Sequence, residues 1–479
     1  MSTKLVFSNA AIENLNDSNA SLEAIGEAMN DQYDEVANPN GIMNLGIAVN
    51  KLQEEIILKK LNSINTVTKK DLEYNTAFGT ETLRTNISNM INKNFNPVNP
   101  VNKDDIVVTN GATSALDKLA SVLCNPGEAI LISSPYYSVF ETDLNLVAKA
   151  VVHNVPVPVS EIQSPVQVRY YQKKLDELNG KGITTKAIVV CNPHNPTGKC
   201  YSRAAVEAIL EFANRNKLFV IMDEIYALSV FRNTESASDL KNDKIKHAGD
   251  LNDAVGTYSD NKYEFESVLS FENLSELIDP SLVIVLHGLS KDFCLNGFRV
   301  GWVVSPFNKQ VVTALCKIAM FSYQAGLVDS IISKLLGDTE FLDSFNVILR
   351  KNLLESYERT TTYLNNKNIK YVPSQAGHFL WINIQPLMIR WKNNNLRKNQ
   401  FRITSPSELT FDDDMEMWLS VIKDARIYYT AGVNFKSDEP GWIRLIFSQP
   451  WDFLKKGLDR LFDYIEKESN SIPQIKSKI

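Results

Sequence analysis

The chain has little of what metal and disulfide frameworks are built from. Its five histidines include no HxxxH or HExxH pair, which argues against a metal enzyme. Its five cysteines, Cys124, Cys191, Cys200, Cys294 and Cys316, are scattered, with no CxxC among them. Such scatter fits reduced thiols in a cytoplasmic protein better than a disulfide framework or a zinc site. No run of about 18 apolar residues occurs, so no membrane span is expected. The opening stretch MSTKLVFSNAAIENLND has none of the continuous apolar character of a signal peptide. Nor is there a basic excess: Lys and Arg number 50 against 56 Asp and Glu, a net charge of −6. A general nucleic-acid binder would carry a basic footprint, so no nucleic-acid partner is expected. Internal repeats are also missing.

What is present is ordinary globular material at a length that supports large cores: 479 residues, 44% hydrophobic and 22% charged. Residues 82–93 carry Leu83, Ile87, Met90 and Ile91 at helical spacing. From Ile106 the texture changes. IVVTNG, AILISSP, AIVVCNP, LFVIMDE and SLVIVLHG are short apolar runs, each closed by polar or turn residues. Strands buried on both faces read this way. Helical patterns such as 204–216 lie between several of them, so an α/β domain with a largely parallel sheet is expected. Residues 233–268 are polar and read as an inserted surface excursion. After Pro306 the chain becomes more helical. GHFLWINI (377–384), RIYYTAG (426–432) and GWIRLIFS (441–448) then suggest a smaller α+β domain. The polar part of 385–410 reads as a loop.

Notable polar groups follow the strands, where ligands gather in such sheets. Lys291 stands eight residues before Arg299 in HGLSKDFCLNGFRVG. A lysine can form a Schiff base with an aldehyde, and an arginine fork matches a phosphate. Pyridoxal phosphate carries both groups. Asn110-Gly111-Ala112-Thr113 after IVVT opens a helix whose free N–H groups suit phosphate. It reads equally as a simple N-capping turn. Pro135-Tyr136-Tyr137 offers an aromatic ring for a cofactor, or for core packing. In Asn192-Pro193-His194-Asn195-Pro196, the prolines fix a non-helical path that can present an amide. Asp223, at the end of LFVIMD, is a carboxylate that burial makes costly unless it is paired. A protonated pyridine nitrogen is one such partner, and a helix N-cap is the other reading. Tyr226 lies three residues on.

Assembled in this order, the chain resembles the fold-type I pyridoxal phosphate enzymes of the class I aminotransferase family. Within that family it is similar to the 1-aminocyclopropane-1-carboxylate synthase branch. The resemblance runs from about Asn40 to about Pro450, through PNGIMNLGIAVNKL, VVTNGATSALDKL, NPGEAILISSPYYSVFETDL, NPHNPTG, DEIYA, LSKDFCLNGFRVGW, GHFLWINI and DEPGWIRLIFS. It implies an aspartate aminotransferase-like fold. Residues 59–317 would form a large cofactor-binding domain with a mostly parallel sheet flanked by helices. Residues 1–58 and 318–479 would form the smaller α+β domain.

The resemblance also implies roles. Lys291 would be the Schiff-base lysine and proton carrier, and Asp223 the partner of the pyridine nitrogen. Asn195 and Tyr226 would hold the ring oxygen, with Tyr137 stacked on the ring. Ala112, Thr113, Ser290 and Arg299 would bind phosphate. Arg444 would pair with the substrate's α-carboxylate. Tyr74 would reach the phosphate of a partner subunit in a homodimer. The implied activity is transamination of an α-amino acid against a 2-oxo acid. The alternatives are cyclopropane-amino-acid synthesis, or a related elimination, and a catalytically weak cofactor-binding protein.

The chain departs from the branch at four places. Val49, near the substrate position, replaces a glutamate, and Ala77 replaces a tyrosine. Gly288 replaces a phosphate-binding serine three residues before the lysine. Residues 233–268 are longer than the usual connection.

Overall fold

The computed structural model describes residues 20–232, 265–396 and 401–466, with a few isolated positions before residue 20. Thirteen strands form three sheets among the described residues: β1 (Met43–Asn44), β2 (Ile106–Thr109), β3 (Ala129–Ser134), β4 (Val151–Pro156), β5 (Thr185–Cys191), β6 (Phe219–Asp223), β7 (Val283–Gly288), β8 (Gly301–Val304), β9 (Lys370–Val372), β10 (Phe379–Asn383), β11 (Ile427–Tyr428), β12 (Thr430–Ala431) and β13 (Trp442–Ile446).

The largest sheet runs β2-β8-β7-β6-β5-β3-β4. Its neighbours from β7 to β4 are parallel, while β8 is antiparallel to both β2 and β7. Every residue of β2, β3, β7 and β8 is buried. The cause is the two-residue period of a strand. Val220 and Met222 feed the core on one face while Ile221 feeds the core on the other. Val283 and Val285 alternate with Ile284 and Leu286 in the same way. Two covered faces require unbroken apolar runs, and the chain supplies them.

The expected strands are all present, and four more join them: the two-residue β1, then β4, β8 and β9. β4 is half-exposed at the sheet edge, with His153 and Asn154 interrupting its apolar pattern. β8 is only four residues long and begins in the glycine that closes the lysine–arginine motif. β9 is three residues long. The helix expected near 82–93 spans Glu81–Phe95, started by a bond from the Leu83 N–H to the Thr80 hydroxyl over 3.2 Å.

The second sheet, β12-β13-β10-β9, is antiparallel throughout and lies in the C-terminal part. β1 pairs in parallel with β11, so the N-terminal segment is stitched to that part of the chain. Helix Trp451–Glu466 covers it with Leu454, Leu458, Leu461, Phe462 and Ile465, one stripe at helical spacing.

Two expectations need correction. The loop reading of the polar stretch 391–408, within 385–410, fails at its start, because the helix Gln385–Asn394 runs into it. Pro386 fits its first turn, and Leu387, Met388 and Trp391 are buried along one side. The excursion at 233–268 lies outside the described residues up to 264. Its last residues are no surface excursion: Ser267 and Val268 are buried, and the Val268 N–H donates to Glu224 Oε1 over 3.1 Å.

Candidate active site

The carboxyl ends of β3, β5, β6 and β7 open on one side of the large sheet, and the polar groups singled out in the sequence stand there. Lys291 follows β7 by three residues and donates from Nζ to the Ala48 carbonyl over 2.8 Å. Burial lowers its amine to about 8, and the positive charges of Arg444 and Arg299 push the same way, with Asp223 opposing. The amine is therefore neutral, and so nucleophilic, at much lower pH than an exposed lysine.

Asp223 ends β6 and is buried beside Cys191, its register partner on β5. Burial raises the carboxyl to about 6, against the pull of the Ile225 N–H, His287 and the Cys191 thiol. Turns rather than a helix follow it, so the N-cap reading is set aside. A buried carboxylate with one long N–H bond of 3.3 Å has room for a cationic partner.

Arg444, on β13, is buried and reaches across to the large sheet. Nη1 donates to Asn195 Oδ1 over 2.8 Å, and Nη2 to the Gly46 carbonyl over 2.7 Å. Its Nε has no hydrogen-bond partner among the described residues. Phe379 and Phe435 lie against the guanidinium at 5.2 and 4.9 Å from their ring centroids. Because Asn195 accepts from a cation, its amide N–H2 is the end it can offer to another group.

Tyr226 is buried, its ring edge-on to Phe379 and His378 at centroid distances of 5.2 and 5.7 Å. Burial pushes its phenol well above the usual range, so the hydroxyl stays a donor. Tyr137 is shifted upward by the same cause and meets Phe140 edge-on. Both tyrosines feel Arg444 and Asp223.

The helix Gly111–Leu123 follows β2 directly. Asn110 makes no side-chain capping bond there. Gly111 has φ +83°, and a Cβ at this position would lie 2.6 Å from Arg299 Nη2. The glycine lets the guanidinium rest against the free N–H groups of the helix start, which makes an anion cradle. Gln324 Nε2 fixes the Arg299 carbonyl at 2.6 Å and the Thr109 carbonyl at 2.5 Å. Ala112 is half-buried in the cradle and its nitrogen faces Gly301 closely. Thr113 is exposed and bonded to the buried Asp143, whose carboxyl burial raises to about 7. Ser290 is half-buried beside Lys291. Tyr74 is 97% exposed in the single chain.

The departures also have positions. Val49 is half-buried next to Ala48, the acceptor of Lys291, and its own carbonyl accepts from Ser448 Oγ over 3.1 Å. At Gly288 a Cβ would lie 2.9 Å from the Val300 carbonyl oxygen and 3.0 Å from Ile225. The backbone has closed on this glycine, and a serine has no space there. Several site residues escaped the sequence reading. Gly46 and Ala48 act through carbonyls, which carry no residue signature. Phe379, Phe435, His378 and Asp143 read as core or helix surface.

Among the described residues no helix is long and apolar enough to cross a membrane. No three His, Cys, Asp or Glu side chains among them gather as a metal ion would need.

The family model for aminotransferase class I and II matches residues 40–461. The chain belongs to the class I and II aminotransferase family. It is 28% identical over 457 residues to the 1-aminocyclopropane-1-carboxylate synthase-like protein 1 of Mus musculus, covering 92% of this chain and 80% of the relative. It is 27% identical over 462 residues to a 1-aminocyclopropane-1-carboxylate synthase of Cucurbita maxima, covering 92% and 83%. An aspartate aminotransferase of Thermotoga maritima superposes with a TM-score of 0.68 at 19% identity, over 96% of this chain and all of that one, and this likeness shows the fold. Members of this family depend on pyridoxal 5′-phosphate, and that is this chain's cofactor. The residues present fit it: a buried carboxylate that a cation would stabilise, a lysine whose amine burial lowers to about 8, and a glycine-opened cradle for phosphate.

Proposed function

We propose that this aminotransferase-family protein transaminates an uncharged or aromatic α-amino acid, with a 2-oxo acid as second substrate. Bound pyridoxal phosphate supplies an aldehyde that condenses with amines and a ring that takes up the electron pair left when Cα loses its proton. The chain's residues do the rest. Lys291 anchors the cofactor and then moves the proton at Cα. Asp223 holds the proton on the ring nitrogen. Tyr226 and the Asn195 amide would donate to the ring oxygen, and Tyr137 would offer its ring to the cofactor's face. Ala112, Thr113, Ser290 and Arg299 hold the phosphate. Arg444, already oriented by Asn195 and Gly46, receives the substrate carboxylate.

The observation that carries the substrate class is Val49. It follows Ala48, the residue on which Lys291 rests. A carboxylate there would favour a cationic sulfonium substrate strongly in a water-poor pocket. Valine offers apolar contact, and Phe379 and Phe435 extend that character around Arg444. The second reading is cyclopropane-amino-acid synthesis, favoured by the names of the relatives.

A homodimer belongs to the same proposal. Tyr74 and Leu72 are 97% and 80% exposed, and Phe321 is 79% exposed. Ser322, next to Phe321, accepts the Asn110 N–H over 3.0 Å at the edge of the phosphate cradle. An apolar surface bordering the cradle supports a partner subunit that lends Tyr74 to it. Five free thiols support the cytoplasm as its place of work.

The test is a panel of amino acids with a 2-oxo acid acceptor, and S-adenosylmethionine alongside, with products read by mass spectrometry. The expected result is oxo acids from apolar or aromatic amino acids. Efficient release of 1-aminocyclopropane-1-carboxylate and methylthioadenosine would instead establish the synthase.

A further inference from the structure

Gly377 and His378 lead into β10 and dock on the turn that follows Asp223. The Gly377 N–H donates to the Ser229 carbonyl over 3.2 Å, and the His378 carbonyl accepts from the Phe447 N–H over 2.9 Å. His378 is fully buried, with Nε2 at 3.2 Å from Ser229 Oγ. Ser229, also fully buried, donates its hydroxyl proton to Asp292 Oδ1. The other Asp292 oxygen accepts the Leu228 N–H over 2.9 Å. Asp292 directly follows Lys291.

The proton count fixes the histidine. Ser229 has one proton and gives it to the carboxylate. The 3.2 Å contact is therefore a donation from Nε2–H to the serine oxygen. Nδ1 keeps its lone pair and has no hydrogen-bond partner among the described residues. Burial lowers the imidazole to about 3, with Lys291 and Arg444 pushing the same way. A ring so reluctant to take a proton is no general base. What it does is mechanical: its edge-on ring braces Tyr226 at a centroid distance of 5.7 Å and an interplanar angle of 84°.

We propose that His378 is a positioning residue, which through Ser229 and Asp292 ties the lysine turn, the Tyr226 turn and the strand carrying Phe379 into one unit. This rests on the site reading given above. Misplacing a reacting group by about 1 Å costs up to about 100-fold.

The test compares His378→Leu with His378→Gln, whose amide restores the Nε2-type donor, and with Ser229→Ala, which cuts the tie with a smaller cavity. The first readout is the pH midpoint of the bound cofactor's visible absorbance. The second is the split between kcat and KM. His378→Leu and Ser229→Ala should move the midpoint in the same direction as Tyr226→Phe, and kcat should fall about tenfold while KM changes less. His378→Gln should recover most of both. A native midpoint and native kcat in Ser229→Ala, or in a folded His378→Leu, overturns the proposal. The site reading fails separately, if borohydride fixes the cofactor to a lysine other than Lys291.

Discussion

Arg444 Nη1 donates to Asn195 Oδ1 over 2.8 Å, joining β13 of the small sheet to the loop that leaves β5 of the large one. In the proposed reaction this one guanidinium would orient the amide that faces the cofactor while presenting its own fork to the substrate.

Arg444→Lys is expected to raise KM for every α-amino acid substrate by about 10–100-fold, the equivalent of losing about 1.5–3 kcal/mol of charge-assisted hydrogen bonding. A lysine is a point charge and cannot serve both the Asn195 side and a carboxylate. Steady-state kinetics on the variant measure this. Amines without a carboxylate reacting as well as amino acids in the native protein would give Arg444 another role.

Capture of the cofactor by the apoprotein should follow the neutral amine of Lys291. With its pKa lowered to about 8, the neutral form accumulates as pH rises through that value. The capture rate, followed by absorbance, should climb to about pH 8 and then level off. A rate still climbing steeply toward the ordinary lysine value of 10.5 would show that the amine is solvated.

Asp223 ties apoprotein stability to pH. Its carboxyl is raised to about 6 from 3.8, so between these values the native state keeps a proton that the unfolded chain has released. This contribution is full below the unfolded value and is lost as pH rises through the folded one, with an upper scale of about 3 kcal/mol. Asp143 and Asp292 shift in the same direction. Asp223→Asn should therefore flatten, without abolishing, the decline of apoprotein stability between about pH 4 and 7. Denaturant titrations across that range measure it. The same variant should lose turnover by several orders of magnitude while still binding cofactor. An unchanged slope with near-native turnover removes Asp223 from the site.

Tyr74 is the test of the shared site. Light scattering should show a dimer, and Phe321→Asp should weaken it by placing a charge in a desolvated apolar contact. Tyr74→Ala should leave the dimer assembled but loosen cofactor, by about tenfold for one lost hydrogen bond to phosphate. A stable, fully active monomer contradicts the shared site.

Much of this was legible in the sequence, for physical reasons. Ile221 and its neighbours in β6 face two cores at once, so the strand is apolar up to Asp223 and announces itself. Asp223 and Asn195 are visible because polar groups closing buried runs must have partners. Illegible parts fall into two kinds. Some residues act through the backbone, as Ala48 and Gly46 do with their carbonyls. Others depend on a contact from far along the chain. His378 in GHFLWINI looks like a core histidine until Ser229, 149 residues earlier, is placed beside it. Gly288 reads as a lost phosphate ligand, yet the Val300 carbonyl leaves no room for a side chain. β8 hides because its four residues begin with the glycine of the lysine–arginine motif and leave too short an apolar run to stand out.

Lys291 as the cofactor's covalent anchor is the central assignment. The chain offers a rival in Lys199, whose amine burial also lowers to about 8. Burial alone shifts Lys199, whereas Lys291 also feels Arg299, Arg444 and Asp223. The deciding measurement is borohydride reduction of the cofactor-loaded protein followed by peptide mass spectrometry. The added mass is predicted on the peptide carrying Lys291 alone, and a Lys291→Ala protein that is folded and inactive should carry none. Cofactor mass on Lys199, or on any other lysine of the native protein, would contradict the account.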